Sequence, residues 1–181
     1  MRIGIIIGSI RDGRLGAGVA EWVAAQAASR DEAEFVVIDL KSFEVPLLTT
    51  AVIPATANRQ YESPQVRRWS EAIDGCDAFV FVTPEYNHGV PGAFKNAIDS
   101  LASEWQGKAV AFVSYGADGG VRAVEQWRQI VVNFYMVDVR AQLALSLFTD
   151  FADGGFAPQE RRVKELDNVL NQLITMAGKL S

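Results

Sequence analysis

One histidine and one cysteine set narrow limits on what the side chains of this sequence can do as nucleophiles, proton carriers or ligands. His88 and Cys76 stand alone among 181 residues. An intramolecular disulfide is therefore excluded, and a Cys/His zinc cluster has too few ligands. Any serine or cysteine triad must run through His88, yet no nucleophile motif accompanies it. Its imidazole is read either as a neutral-pH proton carrier or as a loop-shaping group, and the second reading is taken. Cys76 follows Asp74-Gly75 at the end of a helical pattern and reads as a small buried apolar residue.

Chemistry of another kind is concentrated in three short stretches. The first is Gly8-Ser9-Ile10-Arg11-Asp12-Gly13-Arg14-Leu15-Gly16-Ala17-Gly18. Its glycines permit tight turns and close approach of backbone N–H groups, while Ser9, Arg11 and Arg14 can donate to a phosphate. It lacks the Gly-Lys-Ser/Thr of a Walker loop, and its glycines are not spaced as in a dinucleotide-binding turn. A phosphate cradle and a plain glycine-rich turn with solvated arginines both fit. The second stretch, Thr83-Pro84-Glu85-Tyr86-Asn87-His88-Gly89-Val90-Pro91-Gly92, is stiffened by two prolines. Its aromatic followed by an amide suits a planar heterocycle with polar edges. The third, Ser114-Tyr115-Gly116-Ala117-Asp118-Gly119-Gly120, is small and flexible around one tyrosine.

Each stretch follows an apolar run that reads as a buried strand. These runs are Ile3 to Ile7, Asp77 to Val82 and Ala109 to Val113, with Phe35 to Ile38 as a further strand. Met136 to Val139 and Leu143 to Leu147 offer an ambiguous fifth with an extension. Helical periods fill the gaps. Val19, Trp22, Val23 and Ala27 share one face, and Ser63-Pro64 starts a helix that runs to about Gly75. Pro91 opens a stripe of Phe94, Ala97, Ile98 and Leu101, and Val121, Val124, Trp127 and Val131 form another. The last helix starts near Pro158, with Val163, Leu166, Leu170, Leu173, Ile174 and Ala177 inward. Alternating strands and helices predict an α/β fold: a five-stranded parallel sheet with helices on both faces, in the flavodoxin-like order 2-1-3-4-5. The whole chain, 1–181, is expected to be one domain, with no repeat or linker.

Apolar residues make up 49 % of the chain and the formal net charge is −5. No basic stripe is present to bind nucleic acid, although a local anion site at a helix start remains open. No apolar run approaches a membrane span, and Arg11, Asp12 and Arg14 directly follow the first apolar run. The expectation is a soluble cytoplasmic protein.

Gly8-Ser9-Ile10-Arg11, Pro84-Glu85-Tyr86-Asn87-His88-Gly89 and Ser114-Tyr115-Gly116 together resemble the NAD(P)H-dependent FMN reductase family of flavodoxin-like proteins. That family includes FMN, quinone, azo-dye and chromate reductases. The resemblance covers nearly the whole chain, and the second motif is its most specific part. It implies that Ser9, Arg11 and the backbone through Leu15 and Gly16 hold the FMN phosphate. It implies that Pro84, Glu85, Tyr86 and Asn87 lie along the isoalloxazine, chiefly through backbone groups, and that Ser114, Tyr115 and Gly116 border its other side. Many relatives carry serine where this chain has Arg14 and asparagine where it has Gly16. Arg14 can replace those donors, point toward a nicotinamide dinucleotide phosphate, or be solvated.

The expected activity is transfer of hydride from NADPH or NADH to FMN N5 and on to a small-molecule acceptor, by ping-pong kinetics. The alternatives are a flavodoxin-type electron carrier and an apo interaction module. The irregular stretch from Lys41 to Glu62 carries Val45, Leu47, Leu48, Val52 and Ile53, more apolar surface than a solvated loop should expose. Together with Trp69, Trp105 and the Ala93-Phe94 region it suggests a homodimer or homotetramer interface, the alternative being a cover over the chain's own sheet edge.

Overall fold

The computed structural model describes residues 1–181. In chain order the elements are β1 (Arg2–Ile7), α1 (Gly16–Ala27), β2 (Glu34–Asp39), α2 (Leu40–Phe43), α3 (Pro64–Asp74), β3 (Ala78–Pro84) and α4 (Gly92–Asp99). They continue with β4 (Ala109–Gly116), α5 (Val121–Val132), β5 (Val137–Ser146), a hairpin of β6 (Phe151–Ala152) and β7 (Gly155–Phe156), and α6 (Arg161–Leu180). β1 to β5 form one parallel sheet in the order β2-β1-β3-β4-β5, as the alternation of elements predicts.

Apolar runs without alternation are stable only where both faces of a strand are covered. On one face, Ile3, Ile5, Val80, Val82, Ala111 and Val113 pack with Val19 and Val23 of α1 and Leu166, Leu170 and Leu173 of α6. On the other, Ile6, Phe79, Phe81, Val110 and Phe112 lie beneath α3, α4 and α5. This second layer is aromatic: Trp127 sits 4.8 Å from Phe94 and 5.6 Å from Phe81, and Trp105 is 5.1 Å from Phe79. Trp69 and Trp105, expected at an interface, are instead fully buried here. Each donates its indole N–H to a carbonyl of α4, Trp69 to Ala97 (2.8 Å) and Trp105 to Ile98 (3.1 Å). Phe94 is buried with them and adds nothing to a surface patch.

Several element boundaries differ from expectation for identifiable reasons. The ambiguous Met136–Leu147 stretch is one long strand whose pairing with β4 shifts register between Val110 and Phe112. Arg128 fills the irregularity, donating to Val139 O (3.0 Å) and Arg140 O (3.2 Å) and pairing with Asp138. That extra loop of chain breaks the period-two pattern. Val163 falls in the first turn of α6 and is 44 % exposed, whereas Val169 takes a core position. Trp22 is half-buried, packed edge-on against Phe156 of the unforeseen hairpin at 5.4 Å. No helix is long and apolar enough to cross a membrane.

Register puts the carboxyl ends of the central strands level. Ile7 of β1 pairs beside Val82 of β3, and Val82 beside Val113 of β4. The three glycine- and proline-rich stretches therefore leave the sheet side by side, at the point where strand order reverses.

Candidate functional site

The first stretch turns from β1 into α1 with an unusual surplus of donors. Gly8 N–H donates to Val82 O (2.9 Å), but none of the backbone N–H groups from Ser9 to Leu15 donates within the chain. Those of Gly16 to Gly18 open α1 and have no carbonyl one turn back to reach. Gly8 is fixed by packing, since a Cβ there would fall 2.2 Å from the Phe94 ring. Free amides at a helix start, with the partial positive charge of the helix end, form an anion site.

Side chains converge on the same loop. Ser9, almost fully buried, shares a 2.7 Å hydrogen bond with the Tyr86 hydroxyl, and the Arg11 guanidinium lies 5.7 Å from the Tyr86 ring centroid. Tyr115 is 5 % exposed, and its hydroxyl has no hydrogen-bond partner. That hydroxyl lies so close to Gly16 that a Cβ there would sit 2.6 Å from it. Burial, with Tyr86 nearby, pushes the Tyr115 phenol above its ordinary range, so it stays neutral and can donate. Arg14 pairs with Asp39 at the end of β2, yet its Nε is buried without an acceptor. Two unsatisfied buried donors and a row of free amides fit a phosphate monoester.

The second stretch is shaped from its own backbone. Tyr86 and Gly89 exchange N–H···O bonds of 3.0 and 2.9 Å around Asn87 and His88, both at positive φ (49° and 66°). Asparagine tolerates that region better than most residues. The His88 carbonyl accepts from Gln126 Nε2 (2.7 Å), whereas its imidazole is exposed and unbonded. His88 thus shapes the loop through its main chain. The Glu85 carboxylate turns away from the loop and accepts from Arg122 N (3.0 Å) and Ala123 N (3.3 Å), capping α5, and from the Arg122 guanidinium (3.0 Å). What remains facing the open rim is backbone: the N–H groups of Asn87 and His88 are free.

In the third stretch Ser114 donates to Gly119 O (2.6 Å), while Gly119 and Gly120 hold φ of 76° and 72°. A Cβ at Gly120 would strike the Ser114 side chain and the Tyr115 backbone at 2.9–3.0 Å. Tyr115 O accepts from Glu85 N (3.1 Å), tying the second and third stretches together. The structure therefore brings Ser9, Arg11, Leu15, Gly16, Pro84, Glu85, Tyr86, Asn87, Ser114, Tyr115 and Gly116 to one rim. Arg14, on the first stretch, is paired with Asp39 at the carboxyl end of β2. The sequence carries no local sign that Asp39, at the end of the second strand, partners Arg14 from 25 residues away. Cys76 is buried far from the rim, at the amino end of β3, and burial pushes its thiol up.

A donor-rich loop after β1, with two tyrosine-bearing loops beside it at the switch point of a 2-1-3-4-5 sheet, places the chain in the flavodoxin-like class of α/β proteins. The sequence carries the assignment further. Residues 1–150 match the family model for NADPH-dependent FMN reductases. An NAD(P)H-dependent FMN reductase, ntnL, of a Nectria species is 36 % identical over 156 residues, spanning 82 % of this chain and 78 % of that protein. A quinone reductase of Pseudomonas putida is 34 % identical over 139 residues, covering 72 % and 69 % of the two chains. Among solved structures, the FerB flavoenzyme NAD(P)H:(acceptor) oxidoreductase of Paracoccus denitrificans superposes with a TM-score of 0.76 at 22 % identity over 98 % of this chain and 97 % of that one, which speaks to the fold. This chain belongs to the NADPH-dependent FMN reductase family, oxidoreductases that work with FMN and NADH or NADPH.

Proposed function

We propose that the chain is an FMN-dependent reductase that oxidises NADPH or NADH and reduces a small diffusible acceptor such as free FMN, a quinone, an azo dye or a metal oxyanion. The observation that carries this is the row of unpaired amides from Ser9 to Gly18, closed in by the unsatisfied Tyr115 hydroxyl and Arg14 Nε. Those groups would hold the phosphate, with Arg11 adding a charge-assisted contact. The backbone of Pro84 to Asn87 and the Ser114-Tyr115-Gly116 turn would flank the ring system. When bound, FMN supplies hydride acceptance and donation at N5, which is chemistry the side chains here do not offer.

The residues of the chain have three tasks. The N–H groups of Asn87 and His88, free of partners within the chain, would donate to a polar edge of the ring. The hydroxyl of Tyr86, held on Ser9, fixes the distance between the phosphate loop and the ring-flanking loop. Neutral Tyr115, buried with its hydroxyl against Gly16, would join the third stretch to the phosphate loop and form the floor of the site. No histidine, cysteine or carboxylate is needed as acid or nucleophile: the imidazole of His88 is exposed and the Glu85 carboxylate is committed to α5.

One open rim serving two substrates in turn implies a ping-pong scheme. Initial rates at several fixed acceptor concentrations should give parallel double-reciprocal lines, with the purified protein alone turning over nicotinamide. Lines that intersect as for a ternary complex argue against alternation at one face. Lack of nicotinamide oxidation with any acceptor would favour a pure electron carrier.

A further inference from the structure

Arg14 is the most constrained cation at the rim. Its side chain is only 14 % exposed, one terminal nitrogen is engaged by Asp39, and Nε is buried without an acceptor. A guanidinium presents its donors in one rigid plane, so fixing one edge aims the rest. Asp39 does the fixing from a stiff place. It is the last residue of β2 and the N-cap of α2, with Oδ1 accepting from Lys41 N (3.1 Å) while Oδ2 takes Arg14. Lys41 in turn pairs with Asp12, so the first stretch is moored to the β2–α2 corner at two points.

We propose that Asp39 is a positioning residue. It holds Arg14 so that the unpaired face of the guanidinium meets the anion received by the free amides of Ser9 to Gly18. The proposal rests on the reading that this anion is the phosphate of FMN. Two effects of Asp39 oppose each other. Its charge repels the phosphate, but from the far side of the guanidinium and from a side chain 34 % exposed, where solvent screens it. Its geometric hold decides whether Arg14 offers a fixed donor or a swinging one, and a charged hydrogen bond to a fixed donor is the larger effect. The net result of Asp39 is therefore tighter phosphate binding.

The test compares FMN with riboflavin, which lacks the phosphate, by titrating the purified apoprotein and following flavin fluorescence. Asp39→Asn keeps an oxygen to cap α2 and removes the ionic partner of Arg14. The ratio of riboflavin to FMN dissociation constants should fall at least about fivefold, with riboflavin binding unchanged. Asp39→Glu should recover part of it. Arg14→Lys, which keeps the charge and loses the planar fork, should lower the ratio alone, and adding it to Asp39→Asn should cause little further loss because the two act as one unit. A ratio that stays level or rises in Asp39→Asn, or additive losses in the double variant, would overturn the positioning role. A wild type that binds both flavins equally would overturn the phosphate reading and the proposal together, whereas wild-type preference retained in Asp39→Asn overturns the proposal alone. If Asp39→Asn does not fold, the Arg14→Lys ratio decides: unchanged selectivity removes Arg14, and hence Asp39, from phosphate binding.

Discussion

At the level of single residues, selectivity should come from donors and packing rather than from titrating groups. Arg11 is exposed, but its guanidinium is steadied against the Tyr86 ring beside the buried Ser9. A charge-assisted hydrogen bond to a ligand is typically worth about 1.5–3 kcal/mol, or roughly one to two decades of affinity. Arg11→Ala should therefore weaken FMN by that much and riboflavin far less, and fluorescence titration of both flavins checks it. Equal losses would place Arg11 away from the phosphate. The residue types in the three stretches were legible in the sequence because glycines, prolines and tyrosines have local meanings. The partners of Arg14 and Glu85 were not. Asp39 and the start of α5 approach them only after the sheet has formed, and no spacing rule connects residues so far apart.

At the level of elements, apolar runs made the order of strands readable, whereas their ends were harder to place. β3 and β4 continue past Val82 and Val113 to pair Thr83 with Ser114 and Pro84 with Tyr115. Polarity hid this extension, because Thr83 and Ser114 are buried only through specific bonds, from Trp127 Nε1 to Thr83 Oγ1 (3.0 Å) and from Ser114 Oγ to Gly119 O (2.6 Å). The join from β5 to α6 is held in a similar way by a buried charge. Arg162 donates to both oxygens of Asp150, at 2.9 and 2.8 Å, and the Ser146 and Gln159 amides add to it. Burial alone would raise the Asp150 pKa, but these donors together outweigh it and hold the carboxyl below its ordinary 3.8. A carboxyl depressed on folding stabilises the protein above its unfolded pKa and loses that contribution as pH falls through the folded one. The denaturant midpoint should therefore lose this contribution only below about pH 4, and Asp150→Asn should flatten that acid limb. Arg162→Met, by stranding the buried carboxylate, should cost roughly 3–5 kcal/mol at pH 7. A midpoint unchanged in Arg162→Met would show that the pair contributes nothing.

For the molecule as a whole, the exposed apolar segment after α2 is the feature that a lone chain leaves unexplained. Leu47 is 77 % and Ile53 65 % exposed, and Asn96 of α4 pins the segment in place by accepting from Leu48 N (2.9 Å) and donating to Pro46 O (2.8 Å). The segment encloses a cavity of about 440 Å³ between Pro46–Val52 and Tyr61–Val66. A held, unburied apolar surface of this kind is what a subunit contact uses. We therefore expect a homodimer or homotetramer. Leu48→Asp should lower the mass measured in solution, and a wild type monomeric at working concentration would contradict the assembly. Independently of assembly, the loop from Gly8 to Gly18 is expected to bind FMN through its phosphate. The most direct measurement is a calorimetric titration of the purified wild-type apoprotein with FMN and, separately, riboflavin. One FMN should bind per chain, at least about tenfold more tightly than riboflavin, while equal affinity for the two flavins, or no binding of either, would rule out phosphate recognition by this loop.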